Sequence, residues 1–582
     1  MNLYFFQCQE DYNGNMYLPY SSGILWAYVS QFVDIQENYK LADIYFEKIE
    51  PRLYIDKVDG IDIALFSNYG WNTNYHLSIA KLIKEKYPNC LIIIGGPNAQ
   101  QDESYLRKHD FVDISVWGEA EQTLTELLRA IATNQDLSEV NGIAFIKDDK
   151  YILTPIRERL KDVNVIPSPY LTGIFDEFYK RYDYNFMPVW ETNRGCPYSC
   201  TFCDLGADYY SKVYQFDDDR LYKEIDYFSE KKTEYVEVAD ANFGIIKRDL
   251  ELTKYIRQKF LDTGFPQKIS ATWAKSSPDR IFEMSKILDS MNRGGVTLAL
   301  QSSNKTALDN IKRVNIANTK LEQISKKYSD NDMQTYHDFI IGLPGETLDS
   351  WKEGLLHILD INPEGWLFGH PLEAYKNTEF SDDNYIKTHG LKFAVTPQVS
   401  FFAKRNKNIP IEYGNYVIQT NALSTEDYIE CFLFKWFVIT LHSLGWLNYT
   451  GKHSNLKLSE FYKILYDFIK QKDCLINKEL NVTKNNLLRT IQQGDFWGRQ
   501  MFGEDDIYWD YESSSCIVYQ QNRDLFYSEI KTILKECIPD IDLNIVEKND
   551  EQVVRYVPGT DFKQFCIDIY WYGRRKKAWK LK

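Results

Sequence analysis

The sequence has no apolar run long enough to cross a membrane. Its most apolar stretch, residues 432–447, is interrupted by Lys435 and His442. It falls short of the roughly 20 apolar residues a spanning helix needs. Cysteine is scarce, with 10 in 582 residues, too few for the disulfide framework of a small secreted protein. The first residues, Met1-Asn-Leu-Tyr-Phe-Phe-Gln7, carry no basic flank and no small-residue cleavage site, so no signal peptide is expected. Positive charge is also short. The formal net charge is −15, and the one dense basic run is Arg574-Arg-Lys-Lys577, which reads as a solvated end. Non-specific nucleic-acid binding, which rests on Lys and Arg neutralising phosphates, is therefore not expected. No internal repeat or low-complexity segment is evident. These absences describe a soluble, cytoplasmic protein with a large core and about four domains of ~150 residues each.

What is present is concentrated in Glu191-Thr-Asn-Arg-Gly-Cys-Pro-Tyr-Ser-Cys-Thr-Phe-Cys-Asp204. Cys196, Cys200 and Cys203 stand there with gaps of three and two residues. Three close thiols can ligate three irons of a cubane cluster, whereas full cysteine ligation takes four. The iron left without a protein ligand is an open position, where metal chemistry takes place. A structural zinc knuckle is the bland alternative. It wants a fourth ligand, and no further His or Cys stands nearby in the sequence.

Before this loop, residues 1–165 alternate short apolar runs with helical patterns. Residues 3–6, 61–66 and 91–94 read as strands, and Leu124, Leu127, Leu128 and Ile131 share one helical face. Such alternation predicts a doubly wound parallel sheet, which binds ligands beyond the carboxyl ends of its strands. Two glycine turns fall there: Gly95-Gly96-Pro97, and Gly118-Glu119 opening a helix. A pair of glycines by itself is a tight turn. Residues 166–186 hold Ile166-Pro-Ser-Pro169 and read as an extended linker.

From residue 187 six more strands are expected, at residues 188–192, 235–238, 268–273, 296–300, 335–341 and 366–368, with amphipathic segments such as 248–261 between them. The thiol loop follows the first of them, on the carboxyl side where barrel enzymes place their chemistry. Residues 401–582 are rich in Tyr, Trp and Phe and contain a helical core segment over 427–444.

The CxxxCxxC spacing with Phe202 before the last Cys resembles the radical S-adenosylmethionine (SAM) superfamily. The order of the two glycine turns and then the thiol loop resembles its cobalamin-binding branch, the cobalamin-dependent radical SAM methyltransferases. The resemblance implies an α/β chain in three parts: a Rossmann-like cobalamin domain (1–165, then the linker 166–186), a partial (β/α)6 radical SAM barrel (187–400) and an α+β cap (401–582). It implies a [4Fe–4S] cluster on the three cysteines, SAM on the open iron, and cobalamin held by Ser67, Asn68, Gly95, Gly96, Pro97, Gly118 and Glu119, with residues 17–23 as a further cobalamin-facing loop. The Asp-x-His-x-x-Gly motif of His-on cobalamin proteins is absent, and neither His76 nor His109 stands in such a context. No protein His on cobalt is expected. Trp71 is the candidate for shielding the lower face of cobalt, with plain core packing as its alternative.

Phe202 is implied to set backbone polar groups against adenine. Asp240, Lys275 and Gln301 are candidates for touching SAM or substrate, Lys275 through the methionyl carboxylate; a structural role is the alternative for each. The family's Gly-Gly-Glu, which meets the methionyl amine, is replaced by Glu237-Val-Ala-Asp240. The implied reaction is C-methylation of an unactivated carbon in a peptide or small natural-product intermediate, through a 5′-deoxyadenosyl radical and methylcobalamin, with flavodoxin or ferredoxin as electron donor. Alternatives are a cobalamin enzyme without net methylation, a peptide epimerase or cross-linking enzyme, and a non-catalytic cobalamin or iron–sulfur sensor. No catalytic side chain is assigned.

Overall fold

Strand formation in the first domain follows the apolar runs. In the computed structural model, Asn2–Gln9, Lys40–Glu47, Ile63–Ser67, Leu91–Gly95 and Ile114–Val116 are parallel strands, and Ile143–Lys147 and Lys150–Leu153 close the sheet antiparallel. The structure describes residues 1–572 except 13, 293, 294, 402–404 and 504–506, without the side chains of 570–572. The basic run at 574–577 thus lies outside the described residues.

Across the sheet the order is Lys40–Glu47, Asn2–Gln9, Ile63–Ser67, Leu91–Gly95, Ile114–Val116, Ile143–Lys147, Lys150–Leu153. The chain moves outward from Asn2–Gln9 to one side, then crosses to the other at Ile63–Ser67. That reversal leaves a crevice at the carboxyl ends of these two strands, the place where open α/β sheets take ligands. Both faces are covered, as a parallel sheet requires. Phe6, Phe66, Ile79 and Ile92 are buried on one side, and Leu3, Ile63, Leu127 and Leu128 on the other.

Residues 17–23, expected as a loop, instead contain the end of a short strand, Asn15–Tyr17, and the start of a helix, Tyr20–Val29. The strand pairs in parallel with Asn185–Met187 and so ties the first domain to the barrel. The expected linker also differs. It carries a helix, Asp176–Arg181, and buries Ile166, Tyr170, Phe175 and Phe178. The prolines at 167 and 169 set an extended start, but the aromatics that follow bury in the core, so the segment packs.

All six barrel strands form: Val189–Trp190, Tyr235–Phe243, Lys268–Trp273, Val296–Thr297, Thr335–Ile341 and Trp366–Pro371. They pair in parallel as two halves of three, and the bridge Ile269 to Asn292 lies at the seam. The amphipathic segment at 248–261 is the helix Asp249–Thr263.

Among the described residues the cap is mostly helical, with a hairpin at its start and an isolated bridge between Arg499 and Trp509. Lys392–Pro397 pairs antiparallel with Tyr413–Gln419, so the hairpin straddles the expected boundary at 400/401. The apolar segment at 427–444 is the helix Thr425–Val438 continued by a π turn, Ile439–Ser443. Its two polar interruptions have internal partners: Lys435 pairs with Glu512 at 2.6 Å, and His442 meets the Pro363 carbonyl at 3.1 Å. Among the described residues no helix is long and apolar enough to cross a membrane.

Candidate functional site

The thiol loop leaves the first barrel strand and is braced from three sides. Gly195 has φ +111°, and a Cβ there would lie 2.1 Å from the Lys212 carbonyl oxygen. Only glycine fits this approach. The Cys196 N–H donates to the Tyr210 carbonyl at 2.9 Å and the Thr201 N–H to the Ile311 carbonyl at 3.2 Å. Cys200 is buried, and Cys196 and Cys203 are partly so. Phe202 packs on a small cluster with Ala307, Ile311 and Ile340. Among the described residues no three His, Cys, Asp or Glu groups converge on a single metal position. A cubane does not ask for that, because each thiolate takes its own iron; a mononuclear zinc knuckle does.

Polar groups surround the thiols. Asn242 donates from Nδ2 to Cys196 Sγ at 3.2 Å, and the Arg313 guanidinium lies 3.9 Å from Cys200 Sγ. Lys275 stands beside Arg313 and the thiols. Burial, then the Arg313 charge, lowers it to about 8. Among the described residues neither cation has a carboxylate within ion-pair distance, whereas most other buried cations here do. Buried Arg313 and half-buried Lys275, next to three thiols with no carboxylate partner, fit an anionic group that arrives with a ligand. Gln301 holds φ +62°, and its Oε1 is buried without a partner. Lys275 thus lies within electrostatic reach of the three thiols, and Gln301, bridged to strand Thr335–Ile341 at Phe339, keeps a buried oxygen free for a ligand.

Asp240 does something else. It is buried and accepts from Thr192 N (2.8 Å), Thr192 Oγ1 (2.5 Å), Asn193 N (3.2 Å) and Asn193 Nδ2 (2.6 Å). Burial pushes it up to about 7, and the donors hold it down from going further. Its oxygens are committed to the strand end that launches the thiol loop, so it positions that loop and does not face a ligand.

At the crevice of the first domain, Ser67, Asn68, Gly95, Gly96, Pro97 and Gly118 gather at neighbouring strand ends. Gly96 has φ +98°, and a Cβ would lie 2.6 Å from the Asn68 carbonyl oxygen. The Asn68 Nδ2 is buried without a partner, a donor set beside a cradle a flat ligand can enter. His76 is closed to cobalt. Its Nδ1 meets Asn68 Oδ1 at 2.9 Å and its Nε2 accepts from Cys8 N at 3.1 Å. Burial lowers it to about 3, so it is neutral and fully engaged. His109 packs tilted against Tyr105 at the end of the helix Glu103–Lys108, 4.7 Å between ring centroids. In enzyme loaded with cobalamin, labelling every histidine with 15N should leave the cob(II)alamin paramagnetic resonance spectrum unchanged; a shifted nitrogen pattern would place a protein imidazole on cobalt.

Trp71 is 53% exposed and stacks on Tyr69 at 4.5 Å. It is not core. Glu119, expected beside cobalamin, instead takes Arg159 at 2.7 Å and the Leu160 N–H at 3.1 Å. The two halves of the site approach each other through residues 373–412. Asn377 donates to the Pro97 carbonyl, Lys376 reaches Gln100, and Glu412 accepts from Asn74 N and Tyr75 N, both at 2.9 Å.

Sequence reasoning misses Asn242 and Arg313. Asn242 lies in a strand where nothing local marks a sulfur partner, and Arg313 comes 113 residues after Cys200. Only the barrel closure brings them to the thiols.

A ligand crevice on a doubly wound sheet, facing a three-cysteine loop on a six-stranded partial barrel, defines a radical SAM enzyme of the cobalamin type. The comparisons agree. The Radical SAM superfamily model matches residues 190–356. The chain is 30% identical over 462 residues to the cobalamin-dependent radical SAM methyltransferase TokK of Streptomyces tokunonensis, covering 78% of this chain and 68% of that one. It is 31% identical over 472 residues to 2-(S-pantetheinyl)-carbapenam-3-carboxylate methyltransferase of Streptantibioticus cattleyicolor, covering 79% and 68%. The fold is similar to that of the cobalamin-dependent radical enzyme OxsB with aqua-cobalamin and SAM bound, at a TM-score of 0.57 and 14% identity, over 95% of this chain and 83% of that one. The chain belongs to the cobalamin-dependent radical SAM methyltransferases, enzymes that use a [4Fe–4S] cluster, SAM and cobalamin.

Proposed function

We propose that this methyltransferase adds a methyl group to an unactivated carbon of a small natural-product intermediate. What carries this reading is the 31% identity to an enzyme named for a pantetheinyl-bearing carbapenam acid. That relative favours a small acid with a pantetheinyl-like arm over a peptide as the first substrate to test. When bound, the cluster supplies the electron that cleaves SAM, and cobalamin carries the methyl group.

The chain's own residues bind, orient and exclude water. Cys196, Cys200 and Cys203 are the cluster ligands in this reading, with Asn242 hydrogen-bonded to the first. Lys275 and Arg313 supply the positive charge that meets the methionyl carboxylate, Lys275 as a compact point charge and Arg313 as a planar fork. Phe202 offers backbone to adenine, and Gln301 offers its unpartnered oxygen. Ser67, Asn68, Gly95, Gly96, Pro97 and Gly118 line the cobalamin crevice. Residues 401–572 close the barrel mouth and select the substrate. Flavodoxin or ferredoxin is the class of electron donor.

The deciding assay uses anaerobically reconstituted enzyme, cobalamin, SAM and a pantetheinyl carbapenam acid. The expected result is 5′-deoxyadenosine together with a product about 14 mass units heavier, both lost without cobalamin. 5′-Deoxyadenosine with no mass gain would instead indicate a rearrangement.

In this reading Trp71 would pack against bound cobalamin and keep water from its cobalt. It sits in the loop after Ile63–Ser67, at the sheet's carboxyl edge, with its ring outside the core. Because the ring is half exposed, Trp71→Ala should cost no more than about 1 kcal/mol. It should admit water to cobalt and move the cob(II)alamin spectrum toward a five-coordinate form, while iron content and SAM cleavage stay near normal. An unchanged cobalt spectrum in the folded, cobalamin-loaded variant would remove Trp71 from this role.

A further inference from the structure

The turn Gly118-Glu119-Ala120-Glu121 lies at the carboxyl edge of the first sheet, where a ligand-binding role is the natural expectation. The Glu121 carboxylate meets the barrel domain directly, and the Glu119 carboxylate meets Arg159 and Leu160 of its own domain. Glu121 pairs with Arg194 at 2.6 Å, with side-chain exposures of 4% and 11%. The same Arg194 donates from Nε to Glu191 at 2.9 Å, and Glu191 accepts from the Tyr20 hydroxyl at 3.1 Å. Arg194 stands two residues before Cys196, on the strand end that Asp240 fixes from the other side.

Glu119 works through Arg159, held at 2.7 Å. Arg159 then donates to the Lys212 carbonyl at 2.7 Å, and its guanidinium stacks over Tyr214 at 5.0 Å. The Glu119 N–H itself donates to the Tyr209 hydroxyl at 3.1 Å. Gly118 has φ +77°, and a Cβ there would lie 2.7 Å from that hydroxyl, so the turn touches the loop directly. The segment 209–212 is the one whose Tyr210 carbonyl receives the Cys196 N–H.

We propose that this turn is a two-pronged clamp that sets the thiol loop against the cobalamin domain, Glu121 gripping Arg194 before the cysteines and Glu119 gripping residues 209–212 after them through Arg159. The proposal rests on the cobalamin reading of the first domain. Arginine suits both prongs. Its fork serves two acceptors at once, and an ammonium keeps the charge but not that geometry. The four charged side chains are 4–12% exposed, so water competes little for the ties. Methyl transfer requires the substrate carbon to meet two reagents held by different domains, and misplacement by about 1 Å can cost on the order of 100-fold. Glu119, Glu121, Arg159 and Arg194 are thus positioning residues: they touch no reagent, and they fix the distance between the two that must act in turn.

The test compares Glu119→Gln, Glu121→Gln and Arg159→Lys with Glu126→Gln. Glu126 also pairs with an arginine, Arg157, but both partners belong to the first domain. In the cofactor-free chain, amide exchange over residues 204–215 should quicken in the first three variants and not in the fourth. In loaded enzyme, the dipolar coupling between cob(II)alamin and the reduced cluster should broaden. Methyl transfer should then fall by roughly 10-fold or more while SAM cleavage persists, as expected for misplacement, so that 5′-deoxyadenosine per methylated product rises. Unchanged exchange and an unchanged coupling in folded Glu119→Gln and Glu121→Gln would overturn the clamp. So would equal effects in Glu126→Gln, which would mean general loosening of the domain. A wild type that takes up neither cobalamin nor iron would defeat the functional reading, while the exchange comparison would still judge the clamp.

Discussion

Replacing Cys196, Cys200 and Cys203 together by alanine should leave a folded chain that holds no cluster. Wild type reconstituted without oxygen should carry about four irons per chain, the content of one cubane; the variant should carry essentially none. Folding should survive because the loop is held by more than metal. The Cys196 and Thr201 amides bond to carbonyls of Tyr210 and Ile311, and Asp240 holds the strand end that launches the loop. Alanine keeps all of these contacts. The effect on activity should be total, since no electron can then reach SAM. Iron retained by the triple variant at wild-type levels would show that other residues bind it. Single variants should grade the result: Cys200, the most buried of the three, has the guanidinium of Arg313 beside it, and its loss leaves that cation without a neighbouring thiolate.

Asp240→Ala should destabilise the protein and lower its iron content together. One carboxylate collects four donors from Thr192 and Asn193. Truncation leaves buried N–H and O–H groups with no acceptor, and each such group costs about 1–3 kcal/mol, so several kcal/mol are at stake. Asp240→Asn should fall between, because the amide oxygen still accepts from the two backbone N–H groups while its NH2 opposes the Asn193 NH2. A thermal melt read alongside iron per chain separates the two variants. If Asp240→Ala kept wild-type iron and melting temperature, the strand end would not depend on this carboxylate. The role differs from ligand contact, and binding data would reveal the difference: Asp240→Asn, once folded and loaded, should bind SAM with near-normal affinity. Lys275→Met should weaken SAM binding while leaving the melt nearly unchanged, because a half-buried lysine lowered to about 8 loses little when its charge is removed.

The elements that were legible in sequence are those whose pattern is local. Six barrel strands and three of the seven strands of the first sheet, Asn2–Gln9, Ile63–Ser67 and Leu91–Gly95, are short apolar runs, and each forms within a few residues of where the pattern puts it. The glycine at 195 and the three cysteines stand so close together that their spacing already implies a loop. Residues 166–186 mislead because two prolines announce an extended path, while the packing of Tyr170, Phe175 and Phe178 depends on a surface that only the assembled domains provide. The cap boundary misleads for a related reason. Strand Lys392–Pro397 pairs with Tyr413–Gln419, and nothing within either strand names its partner.

The sequence by itself determined the class of chemistry, because a cluster loop and glycine turns are written in consecutive residues. Tertiary structure decided what the polar residues around them do. Asp240 turns to the strand end, His76 is closed by Asn68 and Cys8, and Glu119 and Glu121 reach arginines 40 and 73 residues away. A carboxylate's role depends on which donor lies within 3 Å. That distance is set by how sheet and barrel dock, which no short stretch of chain encodes.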